Sequence, residues 1–362
     1  MQKNKINTVS LFSGGGGLDL GFAVSGYNIV YSSDIDDYSC ETLKLNQGKQ
    51  DFLKRHAVDC SDVKKLSASI IQDKIGAEID FVIGGPPCQS FSVFGKRQGL
   101  KDPRGNLVFE YTRLIEELNP VGFLFENVTG LRTVDGGEVY ADLLEALSIN
   151  GTYTVSAHEY EVADFGVPQF RKRVFFIGSK YGKKVPDMVS THTSPGTLFN
   201  EHKPYRTVSE AFRGLPKPIK DWKEKPNLDS HVGRNHSQRI IDRYGSLSFG
   251  ERDHKTRINK LDPSKPSYTI IVGSDQGGGK GHIHPFDARE VTPRESARIQ
   301  TFPDWWEFAG TGRHVIRQVG NAVPPLFAAV IANHVLKHVF DVKKTISYAD
   351  IINRLNLEYL YE

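Results

Sequence analysis

Cysteine is scarce in this 362-residue chain, with three residues in all. Cys40, Cys60 and Cys88 are too far apart for CxxC metal ligation and too few for a disulfide framework. No metal site is therefore expected, and the setting should be a reducing cytoplasm. Long apolar runs are missing as well: none approaches the ~20 residues that span a bilayer, and the N-terminus carries no signal-peptide core. The expectation is a soluble, intracellular protein without a membrane partner. Net charge is small, at +3, but unevenly spread. Residues 180–290 hold 20 Lys and Arg against 13 Asp and Glu, an excess of seven positive charges on a mildly acidic remainder. Such a basic middle suggests a polyanion handled by one region. The length suffices to bury a large core and to divide into two domains.

Against these absences stands Gly85-Pro86-Pro87-Cys88-Gln89-Ser90-Phe91-Ser92. It follows the apolar run 79–83, which reads as a parallel strand whose C-terminal edge opens into a ligand crevice. The two prolines lock φ and restrict their neighbours, so backbone rather than packing sets the direction of the thiol. A lone Cys is more often a small buried hydrophobe, but this one sits where a nucleophile belongs. That apolar run, taken over 80–84, is the fourth of five strands predicted, the others over 6–12, 27–33, a short stretch ending near 59 and 121–125. Helices are predicted over 18–25 and 105–118, the second from Leu107, Tyr111, Leu114, Ile115 and Leu118 at helical spacing. The alternation predicts an α/β fold: a doubly wound, mostly parallel sheet with helices on both faces.

The glycine loop after the first strand lacks something too. The dinucleotide fingerprint G-x-G-x-x-G, started at Gly14 or Gly15, meets Asp19 or Leu20 where its third glycine belongs. A nicotinamide oxidoreductase is disfavoured for that reason. Close-approach glycines and an acidic residue after the second strand, Asp34, still suit a ribose hydroxyl. An adenosyl ligand without a pyrophosphate, such as S-adenosylmethionine, meets both conditions, with Asp59 placed to accept from an adenine amino group.

Four more stretches occur in order: Phe125-Glu126-Asn127-Val128, Gln169-Phe170-Arg171-Lys172-Arg173, 294–303 (RESARIQTFP) and 318–325 (QVGNAVPP). With the 12–17 loop and the Cys88 segment, this set closely resembles the cytosine-5 DNA methyltransferase family over nearly the whole chain, apart from 181–265 and the C-terminal tail. The resemblance implies a Rossmann-like catalytic domain over 1–180, completed by a return segment over 291–362. It also implies a smaller, irregular target-recognition domain over 181–290. S-adenosylmethionine is the implied cofactor, with Phe12, Gly14 and Gly16 near its methionine end, Asp34 on the ribose, Ile35 on the adenine face and Asp59 on the adenine edge. Leu107, Asn321 and Val323 complete that pocket. Cys88 corresponds to the nucleophile, Glu126 to the residue holding cytosine N3 and its amino group, and Arg171 and Arg173 to the pair around the base carbonyl and the carboxylate. Asp34 departs from relatives that carry Glu there.

The chemistry asks for such residues. Carbon 5 of cytosine is a poor nucleophile until a thiolate adds at carbon 6 and breaks the aromaticity. Ordinary thiols, of pKa near ~8.5, need neighbouring positive charge or backbone N–H groups to ionise at neutral pH. Negative charge entering the ring is then stabilised electrostatically by Glu126 and Arg171. A duplex hides the target carbon, so the base must be flipped out. The 89–105 segment, with Gln89, Ser92, Lys96, Arg97 and Arg104, reads as a basic loop that closes over double-stranded DNA. Thr269-Ile270 resembles the family's Thr-aliphatic pair on the DNA side. His282 and His284 lack Cys or carboxylate partners at ligand spacing and read as structural. A monomer is expected, with a cognate restriction endonuclease as a companion that need not bind it. An RNA-directed relative or a silent DNA-binding module are the alternatives. The long basic segment argues against the first, and intact Cys88, Glu126 and Arg171 against the second.

Overall fold

The computed structural model describes residues 5–87, 107–132, 134–194, 202–220, 224, 226–270, 272 and 281–362. In chain order the first part runs β1 (Asn7–Leu11), α1 (Gly17–Val24), β2 (Asn28–Asp34), α2 (Asp37–Asn46), β3 (Ala57–Cys60), α3 (Ala68–Ile75), β4 (Phe81–Gly84), α4 (Leu107–Leu118), β5 (Gly122–Val128), α5 (Glu138–Ser148), β6 (Thr154–Glu161) and β7 (Lys172–Ser179). The second part holds the two-residue strands β8 (His192–Thr193) and β9 (Lys203–Pro204). It continues with the single turn α6 (Val208–Ala211), then α7 (Gln238–Gly245), α8 (Pro293–Ile299), α9 (Gly312–Asn321), α10 (Pro325–His338) and α11 (Tyr348–Arg354).

Seven strands form one sheet in the order β3-β2-β1-β4-β5-β7-β6. Pairing is parallel from β3 through β5, whereas β7 runs antiparallel to both β5 and β6. Side chains alternate between two apolar layers, as the strand period of two demands. Val9, Leu11, Val82, Phe123, Phe125, Val174 and Phe176 enter one core with Tyr111, Leu114 and Leu143 of α4 and α5. Phe81, Ile83, Leu124, Phe175 and Ile177 enter the other with Phe22 of α1 and Phe327 and Val335 of α10. Truncating any such buried Phe to Ala costs about 3–5 kcal/mol. The chain reverses its direction of sheet growth between β1 and β4. In open α/β sheets the crevice outside the carboxyl ends at that point is the ligand site.

Local signals explain where the returning helices begin. Thr292 and Glu295 form a reciprocal capping box at α8, with Pro293 at the first helical position. Within 181–290, Val185, Val208, Ala211, Leu261 and Ile270 join the large core. A separate small core gathers Tyr244, Ile258 and Ile283, with Ile240, Leu247 and Ala288 packed against it. The stretch Gly312–His338 is long and apolar enough to cross a bilayer by length and composition, yet 78% of its apolar window is buried inside the protein. It is a core helix pair: Leu326, Phe327 and Ile331 pack in the same apolar cluster as Leu20, Phe22 and Val24 of α1.

Candidate active site

A cleft of about 630 Å³ opens at the carboxyl ends of β1, β2, β4 and β5, within the usual ligand range of about 300–1,000 Å³. One half is built by the β1–α1 loop and the end of β2. Phe12 holds a left-handed φ of 54°, an uncommon state for a residue with a side chain and a mark of a constrained loop. Gly14 donates its N–H to Asp34 Oδ2 at 2.8 Å, and the Asp36 N–H donates to Oδ1 at 2.9 Å. Each carboxylate oxygen keeps a further lone pair for a ligand hydroxyl. Burial raises the pKa of Asp34, opposed by those N–H bonds. Next to it Ile35 is 71% exposed in the cleft wall, and Leu107, Asn321 and Val323 face the same space. Gly16, with φ 81°, caps α1 and lies against Trp306 and Leu43. It shapes the turn from behind, outside the cleft wall.

Asp59 is a correction. β3 continues through it to Cys60, which pairs with Asp34, so the carboxylate is inside the strand and is held by Lys74 and by the Tyr31 hydroxyl at 2.6 Å. Burial alone would raise its pKa, but Lys74 and Tyr31 outweigh it and hold the group below the usual carboxylate range. The cleft wall after β3 is Ser61, Asp62 and Val63 instead. Sequence reasoning missed Asp62, whose signal was its place just after the strand. It also missed the Arg317–Asp36 ion pair at the cleft, for which no sequence signal exists.

The other half surrounds Glu126 at the end of β5. Its Oε1 is 3.1 Å from Arg173 Nε, and burial raises its pKa against the opposing pull of Arg173 and Arg171. A Cβ on Gly85 would come within 2.9 Å of Glu126 Oε2, so only glycine lets the β4 exit pass this close. Asn127 Nδ2 donates to the Pro86 carbonyl at 3.2 Å, fixing the exit, and Pro86 and Pro87 line the cleft. Cys88, Gln89, Ser92, Lys96, Arg97 and Arg104 lie outside the described residues. Arg171 is 2% exposed. Its Nη1 donates to the Gly320 carbonyl at 2.8 Å and its backbone N–H to the Glu161 carboxylate. Its Nε is sealed from solvent and has no hydrogen-bond partner among the described residues, an uncommon state for a buried donor. Burial, with Arg173 adding and Glu126 opposing, lowers its pKa to about 9.

On the far side, Thr269 Oγ1 donates to the Phe170 carbonyl at 2.7 Å. Ile270 requires a second correction: it is 4% exposed inside the large core, so its side chain packs behind the Arg171 loop and does not face a polyanion. His282 Nε2 meets the Thr269 carbonyl at 3.1 Å, and His284 stacks on Phe212.

The family model for C-5 cytosine-specific DNA methylases matches residues 6–337. The chain belongs to this family. It is 33% identical over 343 residues to the Type II methyltransferase M.NgoFVII of Neisseria gonorrhoeae, covering 92% of this chain and 87% of that one. It is also 33% identical over 339 residues to M1.HphI of Haemophilus parahaemolyticus, covering 91% and 86%. Among solved structures, a DNA modification methyltransferase encoded within an E. coli prophage aligns with a TM-score of 0.73 and 30% identity, covering 93% of this chain and all of that one. The Dnmt2 methyltransferase of S. pombe shares the fold, with a TM-score of 0.62 at 19% identity.

As a C-5 cytosine methylase the chain is an enzyme that uses a methyl donor of the S-adenosylmethionine type. The Asp34 side of the cleft fits such a donor. An apolar side chain is left uncovered at Ile35, beside a carboxylate with free lone pairs and a loop of close-approaching backbone.

Proposed function

We propose that the chain methylates carbon 5 of a cytosine flipped out of double-stranded DNA, with S-adenosylmethionine held by Phe12, Gly14, Asp34, Ile35, Asp62, Leu107, Asn321 and Val323. The observation that carries this reading is one cleft in which Glu126, Arg171 and Arg173 stand beside the Gly85–Pro87 exit that leads into Cys88. When bound, the donor supplies an electrophilic methyl group. The chain's part is to make carbon 5 accept it. Cys88 forms a bond from its thiolate sulfur to carbon 6, and the carbon 5–carbon 6 π pair moves onto carbon 5 and into the ring. Arg171 meets the charge arriving at the base carbonyl, while Glu126, whose pKa burial raises, shares a proton with N3. Arg173 holds the Glu126 carboxyl in place. Loss of the carbon 5 proton to a base restores the double bond and expels Cys88 as thiolate.

The test is labelled-methyl incorporation into duplex DNA and into tRNA by wild type and by Cys88→Ala. Label in duplex DNA, converted by bisulfite sequencing to a defined 5-methylcytosine site and lost in the variant, supports the reading. Label confined to tRNA would move the enzyme to RNA, and label retained by Cys88→Ala would remove the covalent route.

A further inference from the structure

The guanidinium of Arg171 has no carboxylate partner among the described residues. Its Nη1 and Nη2 rest on the carbonyls of Gly320 and Asn321, at 2.8 and 3.4 Å, at the C-terminal end of α9. The flanking carbonyls, Val319 and Ala322, both accept from Nε2 of Gln300, at 2.7 and 3.2 Å. Four consecutive carbonyls at the helix end thus receive donors from two side chains, the Val319 carbonyl accepting the Ala322 N–H as well. The partial negative charge of that helix end also offsets the burial of the guanidinium. Gln300 is fully buried, and its amide can face only one way, because both neighbours of Nε2 are acceptors. Its Oε1 accepts from Gln169 Nε2 at 3.1 Å, and Gln169 Oε1 accepts from the Ile270 N–H at 3.3 Å. Thr301, directly after Gln300, has a φ of 61°, an outlier for a β-branched residue. Its Oγ1 donates to the Gln300 carbonyl at 2.6 Å and accepts from the Leu326 N–H at 3.1 Å. Constraint concentrated at one residue signals positioning work.

We infer that Gln300, buttressed by Gln169, is a positioning residue. It fixes the Val319–Ala322 carbonyl arc, and through that arc it sets Arg171 against the base and Asn321 against the methyl donor in a single register. This rests on the assignment of Arg171 to the base pocket made above. Both halves of the cleft depend on the backbone of Val319–Ala322, so a shift of the arc moves both.

Gln300→Met keeps the length of the side chain and removes its donors. The readouts are cofactor affinity by calorimetry, DNA affinity by titration, and the rate of covalent adduct formation with a duplex carrying 5-fluorocytosine at the target. The rate is taken at saturation and divided by the number of cofactor-binding sites, so unfolded protein does not count. A fall of at least about tenfold in that rate is expected, as for other displacements remote from the reacting atoms. Cofactor affinity should weaken with it, while DNA affinity stays within about threefold of wild type. In a double-mutant cycle with Arg171→Lys the two losses should be far from additive, because Gln300 acts through Arg171. An unchanged rate per site, with only the melting temperature lowered, overturns the inference, as do additive losses. If Gln300→Met does not fold, Gln169→Met removes the buttress alone; a slower adduct rate per site supports the role, and an unchanged one overturns it. Wild-type protein that forms no adduct would instead refute the underlying base-pocket assignment.

Discussion

Glu126 keeps its proton to higher pH than an ordinary carboxyl because burial opposes ionisation, even though Arg173 and Arg171 pull the other way. A group that donates to the base loses its function as pH rises through that raised pKa. Glu126→Gln always presents a neutral donor but lacks the charge that Arg173 engages. It should lower kcat about 10²–10³-fold, the usual loss for a transition-state donor site. It should also lack the alkaline fall that Glu126 imposes on the wild-type profile; stopped-time methyl transfer across pH checks both. A second carboxyl, Asp19, lies fully buried under the cofactor loop, accepting from Ser10 at 2.7 Å and Ser32 at 2.6 Å, with His56 next to Ser32. Burial raises its pKa, and the two hydroxyls only partly counter that. The folded state therefore favours the protonated form. Its stability contribution is full below the ordinary carboxylate range and is lost as pH rises through the raised value. Asp19→Asn cannot titrate. As pH rises above the ordinary carboxylate range, the melting temperature of wild type relative to this variant should fall. A constant difference would show that Asp19 does not titrate with folding.

At the scale of elements, the adenine contact expected of Asp59 should pass to Asp62 in the turn after β3, while Asp59 braces the strand. Asp62→Ala should weaken S-adenosylmethionine by about tenfold or more, which is about 1.4 kcal/mol. Asp59→Ala should leave cofactor affinity unchanged and lower the melting temperature, since it strips Lys74 and the Tyr31 hydroxyl of their partner. Calorimetry giving the reverse pattern would return Asp59 to the pocket. The same pair shows what a sequence can and cannot reveal. β1, α1, β2, β4 and β5 were legible as short apolar runs bounded by turn residues, and α4 by its helical spacing. α2 was not, because three of the five residues it buries are polar: Ser39, Thr42 and Asn46 beside Cys40 and Leu43. β6 was not either, since it is an edge strand of mostly half-buried residues that includes His158 and Glu159. Glu126, Arg171, Arg173, Asp34 and Asn321 were legible as motifs and fall in one cleft. Asp59 and Ile270 failed where tertiary pairing decided: the register of β3 on β2 sets which carboxylate leaves the sheet, and the Gln169 bridge draws Ile270 inward.

Over the whole molecule, the positive excess of 180–290 resolves into cations that structure already occupies and cations that face outward. Arg206 is nearly buried against the Leu360 carbonyl and the Tyr361 ring, and Arg289 is paired with Glu295. Lys260 donates to the Leu247 carbonyl at 2.9 Å and covers the Phe249 ring. These hold the irregular segment together, as Arg294 and Arg298 do from α8 by reaching Asp229, Ala211 and Arg213. Lys255 and Arg257, on the rim of the small Tyr244–Ile258–Ile283 core, are exposed. Sequence reading by this small unit predicts that exchanging the 181–290 segment for a relative's moves methylation to the relative's site, read by bisulfite sequencing, with the Cys88 chemistry unchanged. Retention of the original site would place recognition elsewhere in the chain. Salt provides the sharper check, because each phosphate contact removed flattens the slope of log affinity against log salt by ~0.9. Neutralising Lys255 and Arg257 together should flatten it by up to ~1.8 while leaving the melting temperature in place. Neutralising Lys260 should do the opposite, lowering the melting temperature through the lost Leu247 and Phe249 contacts with little change of slope. An unchanged slope for the Lys255 and Arg257 pair would turn that face of the small core away from DNA.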